Sequence, residues 1–119
     1  MKDWQEFELD ALICPAFTVP AVPHDYPSRL PACAFATGLF NMLDFPAGVV
    51  PTGTVSSSDD ELLADEASWR TGKDIALKLL KCAARDSAGL PLAVQVVTLP
   101  LREEKCLAVM KQVENVWIE

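Results

Sequence analysis

The chain has 119 residues, half of them hydrophobic, and a formal net charge of −7. That length fits one small domain, and the apolar share suits a packed core rather than a disordered chain. Seventeen acidic residues stand against ten lysines and arginines with no basic stripe, which argues against nucleic acid or an anionic membrane surface as a partner.

The first ten residues, Met1 to Asp10, are charged and amphipathic, unlike a signal peptide. No run approaches the length of an apolar membrane span, so the default expectation is a cytosolic chain. Trp4 to Glu8 reads as the tail of a helix. Ala11 to Cys14 reads as a short buried strand with Leu12 and Ile13 inside. Seven of the nine prolines fall between Pro15 and Pro51. They predict an irregular, extended loop from Pro15 to Pro31, because proline removes a donor and restricts its predecessor. Cys33 to Leu43 is apolar almost all round and reads as a buried helix. Ala47 to Val50 reads as a second strand, closed by Pro51, Thr52 and Gly53.

Ser56 to Glu61 is polar and acidic, as suits a solvated cap or loop at a helix N-terminus. Lys73 to Arg85 predicts an amphipathic helix. Ile75, Leu79, Leu80 and Ala83 lie on one face, with Lys73, Lys78, Lys81 and Arg85 towards solvent. Gly89 suits a left-handed cap. Leu92 to Leu99 is the clearest strand, apolar enough for burial on both faces. Leu101 to Trp117 reads as a final helix with Leu107, Met110, Val113 and Trp117 on one stripe. Helices alternating with strands predict an α/β sheet covered by helices.

The chain lacks a G-x-S-x-G elbow, a phosphate-cradling glycine loop and a zincin helix. His24, the single histidine, sits in the proline-rich loop and reads as a surface residue. Ser28, Ser56, Ser57, Ser58, Ser68 and Ser87 lie in turn or cap contexts without an oxyanion loop. Cys14, Cys33, Cys82 and Cys106 lack metal-ligand spacing, so no zinc site, other metal or cofactor is expected. Asp44 suits a local turn at a helix end. Gln95 is an amide inside an apolar strand, and burial obliges it to find partners. A structural tie is the expected role.

Three segments carry a resemblance. They are Leu9-Asp10-Ala11-Leu12-Ile13-Cys14-Pro15, Asn41 to Pro51 with its string Leu-Asp-Phe-Pro-Ala-Gly-Val-Val-Pro, and Gly89-Leu90-Pro91-Leu92-Ala93-Val94-Gln95 followed by a helix led by Glu103 and Glu104. Together they resemble the C-terminal part of the amidase signature family. The second and third are similar to its vertebrate fatty-acid amide hydrolase branch. The resemblance implies residues 1–119 as one partial amidase domain, the C-terminal portion of a mixed sheet flanked by helices, with no second domain. It implies a membrane-associated parent on the cytoplasmic side of the endoplasmic reticulum that acts on fatty-acid amides and can form a homodimer. The family's Ser-Ser-Lys triad and its glycine-serine signature match no part of this chain, so no residue here takes a catalytic role. The segment Cys33 to Leu43 matches the one lining the family's acyl channel, which places Ala34 and Gly38 at lining positions. Two readings follow: a scaffold-and-channel piece of a serine amidase, inactive and aggregation-prone alone, or a non-catalytic short isoform that binds a protein partner.

Overall fold

Between Pro91 and Pro100 the chain is almost continuously apolar, and a strand forms there with neighbours on both sides. The computed structural model describes residues 2–26, 34–65 and 67–117. In chain order it contains α1 (Lys2–Glu6), β1 (Leu12–Pro15), α2 (Phe35–Met42), β2 (Ala47–Thr54), α3 (Ser57–Ala64), α4 (Ile75–Ala83), β3 (Pro91–Val97) and α5 (Glu103–Trp117). The strand order is β1-β3-β2. The central place of β3 explains its composition: Gln95, Val96, Val97 and the following Thr98 are all buried, so successive residues are covered on opposite faces.

β1 pairs antiparallel with β3, from Leu12 opposite Val97 to Pro15 opposite Val94. Thr98 donates its backbone N–H to the Pro46 carbonyl at 3.0 Å, and Val55 donates to Leu90 at 2.9 Å. Position along β2 therefore rises as position along β3 falls, and this pairing is antiparallel too. The chain is thus mixed α and β, as expected, with a three-stranded antiparallel sheet and five helices among the described residues.

The chain forms two compact units, one of Met1–Ala16, Ala36–Thr52 and Ala93–Glu119, the other of Phe17–Phe35 and Gly53–Leu92. In the first, Val50, Val96 and Cys106 make the core, and Ala11, Val94, Val109, Met110 and Val113 pack on it. Gly48 lets α5 approach β2, because a β-carbon there would run into the Met110 thioether. Trp4 and Phe40 both meet Phe45, with ring centroids 5.9 and 6.3 Å away.

Several expectations change here. Leu12 and Ile13 are 38% and 54% exposed, because β1 is an edge strand rather than a buried one. α2 buries only Phe40, and its other large apolar side chains stay open. Cys33, the expected start of that helix, lies outside the described residues. β2 continues through Pro51 to Thr54 because it is also an edge strand, where proline is tolerated. On α5 the inward face is Cys106, Val109, Met110 and Val113, while Leu107 and Trp117 are exposed.

In the second unit the serine-acid patch does more than cap. It starts α3, a helix of its own that the sequence reading did not separate. The Ser56 hydroxyl accepts from the Asp59 N–H, and the Asp59 carboxylate accepts from the Ser56 N–H at 2.8 Å. The same carboxylate accepts the Ser56 hydroxyl at 2.7 Å, and these bonds hold its pKa below the ordinary aspartate range. A depressed carboxylate stabilises the fold above that range and loses its contribution as pH falls through it. Acid should therefore fray the first turn of α3, seen as a lower protection factor for the Asp59 amide, its exchange being compared with the intrinsic rate at each pH. Ser56→Ala should weaken that pH dependence, since the backbone N–H at position 56 still reaches the carboxylate. A protection factor indifferent to pH in the native chain would refute this cap.

α4 is capped by Asp74, whose carboxylate accepts from the Leu77 N–H at 3.1 Å. Lys81 corrects another expectation. It is 3% exposed, and its Nζ donates to the Trp69 carbonyl at 3.1 Å. The aliphatic stem crosses the interior and carries the charge to a backbone acceptor. Asp86 and Gly89 take positive φ in the turn after α4, and the Gly89 N–H reaches the Val55 carbonyl at 2.8 Å.

Candidate functional site

The residues with chemical potential lie along α2, on β3 and in the serine-bearing turns. Gly38 sits in α2, and a β-carbon there would touch no atom within 4 Å. Leu39 and Met42 are three apart and Gly38 and Met42 four apart, so the three share one open face of the helix. Ala34 lies in the turn just before α2 and is exposed. Asp44 follows the helix at φ +54°, with its N–H on the Asn41 carbonyl at 3.3 Å. That is the local turn its sequence context suggests.

Gln95 is 2% exposed, and its Nε2 donates to the Ala36 carbonyl at 3.1 Å and towards the Cys14 thiol at 3.4 Å. The structural tie expected of it is present, joining β3 to β1 and to the first turn of α2. Cys106 is a buried thiol pointing at the Val96 carbonyl, 3.5 Å away.

Three serine hydroxyls are turned towards carboxylates. Ser56 donates to Asp59, Ser68 to Asp65 at 2.8 Å and Ser87 to Asp60 at 3.2 Å. An activated serine needs a base able to take its proton. The Ala67 N–H and the Ser68 hydroxyl hold Asp65 below its ordinary range, and Ser56 does the same to Asp59. Both are therefore weaker bases than free aspartate. The Asp60 carboxylate also accepts the Ser87 and Ala88 N–H groups, so it ties α3 to the turn after α4. His24 is exposed, and Ser28 lies outside the described residues. Among the described residues no three His, Cys, Asp or Glu side chains gather as a metal site.

A cleft of about 250 Å³ in the second unit is lined by Val19, Val55, Leu63, Trp69, Ala84 and Leu92, with Asp59, Asp60 and Ser87 also on its wall. Asp59 bonds to Ser56 at the cap of its own helix, and Asp60 and Ser87 bond to each other. Most of the cleft wall is apolar. No helix of the described residues is long and apolar enough to cross a membrane.

The contacts of Asp60 and Lys81 went unread in the sequence. Lys81 follows Leu77 by four residues and precedes Ala84 by three, which puts it on the inward stripe of α4. That spacing was the available signal. Asp60 carried none, since its partners lie 27 and 28 residues on.

Residues 1–107 match the model of the Amidase family. The chain belongs to the amidase family. Among amidase relatives it is 41% identical to fatty acid amide hydrolase 1 of Caenorhabditis elegans over 114 residues, 96% of this chain and 19% of that protein. It is 38% identical to fatty-acid amide hydrolase 1 of Sus scrofa over 97% of this chain and 19% of that protein. An acetamidase of Aspergillus oryzae is 32% identical over 94% of this chain and 20% of that protein. The chain thus spans about a fifth of the length of these amidases. The amidase strings fall on the elements just described: Leu43 to Pro51 runs from the end of α2 into β2, and Gly89 to Gln95 runs into β3.

Proposed function

We propose that this chain is the C-terminal scaffold and acyl-channel wall of a serine amidase that hydrolyses fatty-acid amides. In this reading the Ser-Ser-Lys triad lies outside it. The observation that carries the reading is near-complete coverage of the chain by relatives named for fatty-acid amide hydrolysis, at 41% and 38% identity. The open face of α2 supports the channel part. Gly38 offers room, and Leu39 and Met42 beside it offer apolar contact for an alkyl chain. The carboxylate-bound serines support a chain without its own nucleophile.

A second reading, a non-catalytic interaction module, draws on the exposed apolar residues and the two edge strands. One experiment separates the two. The chain replaces the matching segment of the pig hydrolase, and both the graft and the isolated chain meet a fluorophosphonate serine probe. We expect the graft to hydrolyse oleamide and to label only in its pig-derived part. The isolated chain should stay unlabelled. Labelling of a serine in this chain, or a folded graft without oleamide hydrolysis, contradicts the proposal.

A further inference from the structure

Gln95 is a buried amide on the central strand, and its backbone is fixed by the ladder opposite Cys14. Its Nε2 spends both hydrogens, one on the Ala36 carbonyl and one towards the Cys14 thiol. An apolar side chain of the same length would fill the space without two donors to satisfy. Packing alone tolerates sliding, whereas a hydrogen bond fixes distance and direction. Ala36 lies in the first turn of α2, two residues before Gly38. A displacement of that turn carries Gly38 with it.

We propose that Gln95 is a positioning residue: its side-chain amide fixes the first turn of α2 on the sheet and so sets where the Gly38 face stands for the acyl chain. This rests on the reading of α2 as channel wall. Gln95 touches no reacting atom in this role. It acts through the Ala36 carbonyl, so its loss should alter selectivity more than chemistry.

The test uses Gln95→Met and Gln95→Asn in the pig graft. Methionine keeps length and bulk without donors, while asparagine keeps the donors one methylene short. For Gln95→Met, amide exchange in the first two turns of α2 should rise about five-fold, the scale of one lost hydrogen bond. Discrimination between oleamide and butyramide should fall by a similar factor through KM, with kcat on butyramide held. Gln95→Asn should fall between native and methionine. Unchanged exchange in Gln95→Met overturns the anchoring, whatever α2 does for substrate. Faster exchange with an unmoved chain-length profile overturns the role in selectivity. If Gly38→Trp still shifts that profile, only Gln95 is refuted; if Gly38→Trp is silent as well, the channel reading falls with it.

Discussion

Val96→Asp is expected to prevent the sheet unit from folding. Val96 has no exposed surface and packs with Val50 and Cys106 at the contact of β3 with α5. A carboxylate there meets methyls and a thiol, and the neighbouring backbone of β3 is committed to strands on both sides. An unpaired buried charge costs more than a domain of this size has to lose, about 5–15 kcal/mol in all. Val96→Ala is the graded control. It removes two methyl-sized groups at about 0.8 kcal/mol each and leaves a small cavity, for a loss of about 2–3 kcal/mol. In the pig graft the expected outcome is no soluble enzyme for the aspartate variant. The alanine variant should be active with a lowered thermal midpoint. Equal midpoints for native and Val96→Asp would show that this cluster is not the core.

The contrast between β3 and β1 shows what a sequence reveals about a fold. Burial on both faces of β3 was legible because Val94, Val96 and Val97 leave no polar face to turn outward. Leu12 and Ile13 have the same character, yet both are open. Apolarity records that a surface favours cover. It does not record which chain provides it. α2 repeats the lesson: its residues are apolar all round, but the described elements bury only Phe40. Lys81 fails in the opposite direction, because its charge suggested solvent while the helical period placed it inward. Gln95 was the legible part of the site. A lone amide in an apolar strand must have partners, and only their identities, Ala36 and Cys14, required the fold.

The family strings were legible for a further reason. Leu43 to Pro51 and Gly89 to Gln95 run into β2 and β3, two neighbouring strands of the sheet. Asp44 at positive φ, Gly48 under Met110 and Gly89 at positive φ are backbone demands that few residue types satisfy. Ala34 and Gly38 carry no such demand, since nothing crowds a side chain at Gly38. Small residues at open positions leave room rather than bear load, and the proposed channel turns on that room.

Gly38→Trp in the pig graft therefore tests the central claim most directly. The indole would project from the open face of α2 beside Leu39 and Met42 without disturbing the Phe40 side. Native and variant grafts would be compared on a ladder of amides from butyramide to oleamide. If α2 lines the acyl channel, kcat/KM for oleamide should fall about 100-fold, within the range one pocket contact can discriminate, while butyramide stays within a factor of about three. An equal loss on every amide, or no loss on any, would contradict the account.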